Sequence, residues 1–220
     1  MALFRTVSWP DPPSLIEGDG LFLRMPQMSD FSAWANLRDE SRVFLAPWEP
    51  LWPAYDLTRG SFRRRIRRYI RDVREDNAYP FLVFRTGDRA LLGGLTLSNV
   101  RRGVTQTGSL GYWMGQPYAG KGHMTRAVAA LLPYAHGTLG LRRIEAACLP
   151  TNTPSIKLLE RVGFRREGYG REYLCINGVW QDHLLFGRLG SDAIMPASAT
   201  EIARLSGLAS ASQNDGPVPL

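Results

Sequence analysis

GQPYAGKGHMTRA, residues 115–127, is the stretch on which the reading of this chain turns. Its start nearly spells the phosphate loop of nucleotide hydrolases, G-x-x-x-x-G-K-[ST], but Gly122 stands where the magnesium-binding hydroxyl belongs. A hydrolase also needs an acidic strand end and a parallel βαβ setting, and neither is found, so that reading fails. The stretch still joins an apolar strand, SLGYWMG (109–115), to a helical pattern carrying Met124, Val128, Leu131 and Leu132. Backbone N–H groups of residues 120–125 can therefore converge at a helix N-terminus, where the helix dipole favours an anion. Gly120 and Gly122 let the backbone approach that anion closely, and Thr125 adds a hydroxyl donor. Such a loop suits a pyrophosphate held without a metal; a structural tight turn is the alternative.

Working outward, LFLRM (21–25) reads as a strand, and Ser29 caps a helix bearing Phe31, Trp34 and Leu37. A Pro- and Trp-rich loop, FLAPWEPLWP (44–53), leads to a long arginine-rich helix. FLVFRTGDRALLGGLTLSNV (81–100) turns at Thr-Gly-Asp and reads as a hairpin, followed by the strand at 109–115. The helix after it is expected to start near Gly120 and to kink or end at Pro133. IEAACL (144–149) is the next strand, and Thr153-Pro154 is read as an N-cap followed by a first-turn proline. The short helix ends at Gly163. Asn177-Gly178, between two alternating apolar runs, is a strong hairpin signal. The order β-α-α-β-β-β-α-β-α-β-β predicts an α+β (mixed α/β) fold with a mixed, largely antiparallel sheet. Residues 1–19 are expected to form an irregular arm, 20–190 the globular domain, and 191–220 a tail in which Ser198 and Glu201 could cap a short helix.

With 220 residues, 44% of them hydrophobic, the chain can bury a sizeable core. No apolar run approaches the ~18 residues of a membrane span. The N-terminal stretch, with its early prolines and acids, is no secretory signal, and a cytoplasmic location is expected. Cys148 and Cys175 lie in strand-like runs and read as buried reduced thiols. The histidines lack metal-ligand spacing, and no metal is expected. The net charge of +7 is concentrated in RGSFRRRIRRYIRDVR (59–74), which holds eight arginines. Phe62, Ile66, Tyr69, Ile70 and Val73 mark one helical face, so the arginines coat the other. That coat is either a solvated face or a dock for ribosomal RNA or an acidic protein.

Residues 119–124, AGKGHM, resemble the acetyl-CoA signature R/Q-x-x-G-x-G/A of the GCN5-related N-acetyltransferases (GNAT), with Ala119 for Arg or Gln and Met124 for Gly or Ala. Asn152, Ser155 and Leu159 through Gly163-Phe164 look like the family's N-x-x-S…L-x-x-x-G-F segment. GFRREGYGREYLCINGVWQDH (163–183) and FLAPWEP (44–50) resemble the ribosomal-protein-alanine N-acetyltransferases of the RimJ type. The similarity spans about residues 20–188. It implies a twisted, mostly antiparallel sheet flanked by helices and splayed between the fourth and fifth strands of this reading, 109–115 and 144–149.

The resemblance further implies acetyl-CoA as cosubstrate. Its pantetheine arm would lie in the splay against Trp113 and Met114. Its pyrophosphate would lie on Ala119, Gly120, Lys121, Gly122, His123, Met124 and Thr125, with Asn152 and Ser155 beside the thioester. Direct attack by a neutral amine needs no covalent cysteine. Glu172 matches an acidic position of the branch and is the first candidate base, with Glu49 of PWEP second. Ser155, or Tyr173, is the candidate donor to the departing thiolate. The acceptor implied is the N-terminal α-amine, Ala or Ser, of a ribosomal protein, with the Arg59–Arg74 helix touching the ribosome. A small amine (an antibiotic, polyamine or amino acid) is the second reading, and a ribosome- or RNA-binding protein with a vestigial cofactor site the third. Monomer and homodimer both remain open.

Overall fold

The computed structural model describes residues 15–192. One eight-stranded sheet holds, in spatial order, β1 (Ile16–Gly18), β2 (Leu21–Arg24), β3 (Tyr79–Arg85), β4 (Leu91–Arg101), β5 (Thr107–Met114), β6 (Arg143–Cys148), β8 (Val179–Leu189) and β7 (Arg165–Ile176). Every neighbouring pair is antiparallel except β5 with β6. The helices are α1 (Phe31–Glu40), α2 (Arg42–Leu45), α3 (Arg59–Arg74), α4 (His123–Pro133) and α5 (Thr153–Arg161). This is the mixed, mostly antiparallel architecture the sequence predicts.

The sheet is covered on both faces, which explains why its central strands read as continuous apolar runs. In β3, Tyr79, Phe81 and Val83 join the core beneath α4, while Leu82 and Phe84 join a second core with Trp34 of α1 and Phe62 of α3. Strand alternation divides one short sequence between the two cores. On α3, Phe62 and Ile66 are buried, Tyr69 and Val73 half-buried, and Ile70 is exposed at the edge of the predicted stripe.

Two expectations change and one is extended. Residues 16–18, placed in an irregular arm, pair with β2 as an edge strand, Ile16 opposite Leu23. Pro133 ends the regular α-helix, but the chain continues through a wider π turn, Tyr134–Thr138. The helix also starts later than expected, at His123, after two glycines in left-handed conformation. Asn177 and Gly178, with φ of 48° and 81°, make the expected hairpin turn between β7 and β8. The helix expected around Ser198 lies outside the described residues.

Pairing of β5 with β6 covers only Thr107 to Ser109 against Arg143 to Glu145. Beyond Ser109 the two strands part, while β5 stays paired to β4 as far as Met114 and β6 stays paired to β8 as far as Cys148. The resulting V lies where the family resemblance implies the splay; the extra edge strand makes these the fifth and sixth strands.

Candidate active site

The V opens a cleft of about 470 Å³ lined by β5, the loop and first turn of α4, the end of β6 and α5. A second cleft, about 420 Å³, lies against α1, α3 and the loop after α2. Glu49, Gly111, Tyr112 and Trp113 line both, so the two meet at β5. One molecule can enter from each side of the sheet.

In the first cleft, Gly120 and Gly122 take φ of 72° and 73°, the left-handed region that glycine adopts without strain. The loop thereby leads directly into α4, whose first turn begins at His123. The N–H of Ala119 is spent on the Gln116 carbonyl and that of Arg126 on the Gly122 carbonyl; no described acceptor takes the six between them. A helix N-terminus with its donors free fits a pyrophosphate. Lys121 turns away: its Nζ donates to the Pro117 carbonyl, and it lies outside the lining residues. Positive charge comes instead from Lys157 and Arg161 of α5, which line the cleft. His123 accepts from Arg126 at Nδ1, and burial first, then Arg126, hold its pKa below the ordinary value, so it stays neutral.

At the apex, Ser155 is buried and its Oγ lies 2.6 Å from Tyr112 Oη. Burial raises the Tyr112 phenol pKa well above its usual value, with Ser155 opposing the shift. The phenol therefore keeps its proton; either hydroxyl can donate across this contact, and when the phenol donates, the serine hydroxyl hydrogen is left for another acceptor. Asn152 proves to be the N-cap of α5: its Oδ1 accepts from the Ser155 N–H at 3.1 Å. The role expected of Thr153 falls to Asn152, because α5 begins at Thr153 and Pro154 occupies its second position. Cys148 lines the cleft next to Ser155, its thiol pKa pushed up by burial.

The two carboxylates proposed as bases fare differently from expectation. Glu49 lines both clefts, but Arg38 donates to its two oxygens at 2.8 and 2.7 Å and Trp52 Nε1 donates at 2.8 Å. Arg38 itself stacks on Trp52 and Trp113, at 4.0 and 4.8 Å from the ring centres. Glu49 is thus the anchor of a buried arginine. Glu172 is exposed, takes φ of 46° at a break in the β7/β8 register, and lies outside the lining of both clefts. Of the other expected residues, Trp113, Met114, Ala119, Gly120, Gly122, His123, Met124, Thr125, Asn152 and Ser155 all line the first cleft. Tyr112 and His183, which also line it, were missed, since no local motif announces a contact made across 43 residues.

Residues 20–165 match the model of the acetyltransferase (GNAT) domain. The chain belongs to the GNAT acetyltransferase family. Among GNAT proteins it is 35% identical over 176 residues to the [ribosomal protein uS5]-alanine N-acetyltransferase of Escherichia coli (strain K12), covering 79% of this chain and 90% of that one. It is 34% identical over 178 residues to the probable N-acetyltransferase YjcK of Bacillus subtilis (strain 168), covering 81% and 98%. Its fold matches that of Mycobacterium smegmatis RimJ in complex with CoA-disulfide, with a TM-score of 0.76 at 31% identity over 88% of this chain and 93% of that one. This GNAT chain is accordingly an acetyl-CoA-dependent N-acetyltransferase of RimJ-like kind, and its free loop donors fit the cosubstrate's pyrophosphate. No helix among the described residues is long and apolar enough to cross a membrane.

Proposed function

We propose that the acceptor is the N-terminal α-amine of a protein starting with Ala or Ser, a ribosomal protein foremost. One observation carries this reading. The carboxylates lining the second cleft are Glu49 and Asp56, and each is bound by an arginine, Arg38 and Arg65 respectively. Neither is free to attract a polycationic small amine. The rest of that cleft is aromatic and proline-rich, which suits a short neutral peptide entering behind its amine. The specificity in the name of the Escherichia coli relative, a ribosomal-protein alanine, agrees.

Chemistry follows from placement. An α-amino group has a pKa of about 8, so part of it is neutral at pH 7. The clefts bring amine and thioester together at Tyr112, and positioning supplies most of the acceleration. Attack forms the C–N bond and expels the thiolate, to which Ser155 donates its proton while it regains one from the nitrogen of the tetrahedral adduct. Asn152 aims Ser155 by capping its helix, and Trp113 and Met114 offer their backbone to the pantetheine arm.

Arg65 and Tyr69 of α3 form a wall of the second cleft. On the outside of the same helix Arg59, Arg63, Arg64, Arg67, Arg68, Arg71 and Arg74 are exposed. This reading makes that surface the contact with ribosomal RNA beside the acceptor. Arg64→Glu, Arg67→Glu and Arg71→Glu together should abolish salt-sensitive association with ribosomes; unchanged association in a sedimentation assay refutes the contact.

The deciding experiment is thiol release from acetyl-CoA with an Ala-starting peptide, its N-blocked form, and spermidine. Release with the free peptide alone is expected. Release with spermidine alone overturns the reading in favour of a small-amine acceptor.

A further inference from the structure

We infer that His183 takes the proton from the acceptor's ammonium group. The inference rests on the acetyl transfer described above, but not on which amine is acetylated.

Registry places the side chain. In β6 and β8, Cys148 pairs with Leu184, and both belong to the core beneath α4. His183 precedes Leu184, so it projects from the opposite face of the sheet, the face on which α1 and α3 pack and the second cleft lies. It is only 2% exposed and lines the first cleft together with Leu174, Ile176 and Trp48. The imidazole thus lines the first cleft, as Ser155 does, but projects from the sheet face on which the acceptor's cleft lies.

Its hydrogen bonding prepares it to accept a proton. Nδ1 lies 2.9 Å from the Gln181 carbonyl oxygen. A carbonyl only accepts, so Nδ1 carries the hydrogen and Nε2 of the neutral ring holds a free lone pair. No described donor reaches Nε2. Nor is Nε2 among the sealed, unpartnered atoms of the interior, which are Arg38 Nε, Arg126 Nε, Tyr134 Oη and His136 Nε2. It therefore opens onto the cleft.

Elimination leads to the same group. Glu49 and Asp56 are occupied by arginines, Glu172 is outside the clefts, and His123 accepts from Arg126 at the phosphate loop. The groups around His183 leave it unclaimed. Asp182 of its own strand accepts from Tyr169 Oη and the Glu172 N–H, Arg171 and Tyr173 approach from β7 (the tyrosine ring 5.9 Å away, centre to centre), and Cys148 belongs to the other face of β6.

In the step, one ammonium proton moves to Nε2 and on to solvent. The freed lone pair attacks the thioester carbon, the C–S bond breaks, and the second proton leaves the nitrogen by way of Ser155. Nothing is oxidised or reduced.

The test is the pH profile of kcat/KM on whichever amine the enzyme acetylates, peptide or spermidine, so failure of the N-terminal reading leaves it intact. In the unsubstituted protein the acid limb should fall at the same pH for two acceptors whose amines differ in pKa. His183→Asn keeps a donor for the Gln181 carbonyl and lacks Nε2. With a peptide α-amine of pKa about 8 it should lose about tenfold at pH 7, where about one tenth of the amine is neutral, and recover to within about twofold at pH 9; with a more basic amine the loss is larger and the recovery moves to correspondingly higher pH. His183→Gln should behave alike, with acetyl-CoA affinity unchanged for both. An acid limb that follows the acceptor's own pKa in the unsubstituted protein overturns the inference, as does a loss equal at both pH values or no loss.

Discussion

Replacing Tyr112 with Phe isolates the contact at the junction of the two clefts. The substitution removes one hydroxyl and leaves the ring, so packing against β4 and α5 persists. What is lost is a 2.6 Å hydrogen bond to a buried serine. A neutral bond of this kind contributes a net of about 1 kcal/mol to stability, which in a protein of this length lowers Tm by roughly 2–4 °C. The larger consequence concerns turnover. Without the phenol as donor, Ser155 is free to turn its hydroxyl towards the Cys148 sulfur, and the donor awaiting the thiolate is lost part of the time. A tenfold fall in kcat, about 1.4 kcal/mol, is expected with the KM for acetyl-CoA little changed. The assay is thiol release by Tyr112→Phe, Ser155→Ala and the double variant. Because Tyr112 acts through Ser155, the double variant should be no slower than Ser155→Ala alone. Strictly additive losses would refute the argument, because Tyr112 would then work independently of the serine.

Two other perturbations probe the walls of the site. Arg38→Ala strands the Glu49 carboxylate and removes a cation from between Trp52 and Trp113; breaking so buried a pair costs about 3 kcal/mol, and calorimetry should show Tm lower by roughly 6–12 °C. A shift under 2 °C (about 0.5–1 kcal/mol) would mean the pair is solvated. Gly122→Ala has room for its methyl group, but the left-handed backbone opposes it by about 1–2 kcal/mol. Titration should therefore show acetyl-CoA bound roughly tenfold more weakly, and wild-type affinity would mean the loop does not need that conformation.

Sequence alone determined the elements whose signals are local. The Asn177-Gly178 hairpin, the α3 stripe and the glycine loop before α4 each depend on residues within a few positions of one another, so periodicity and turn chemistry reveal them. The edge strand at 16–18 escaped because three residues carry no readable period. The π turn after Pro133 escaped because the rule for proline concerns the N–H it removes, not what a packed core does with the next turn. The free donors of the glycine loop were legible for the same reason, since they are consecutive backbone groups.

The acceptor side was decided by the fold. Tyr112 meets Ser155 only because β5 and β6 part at Ser109, and a hydrogen bond between such distant residues has no sequence signature. Arg38 claims Glu49 from another helix, so a carboxylate that reads as a base is occupied, while a register break turns Glu172 out to solvent. His183 reads as one more residue in an alternating strand. Strand alternation, the parting of β5 from β6 and a carbonyl two residues back together aim its free nitrogen into the cleft. A residue type names a proton acceptor, but whether the acceptor is free depends on neighbours that only folding brings near.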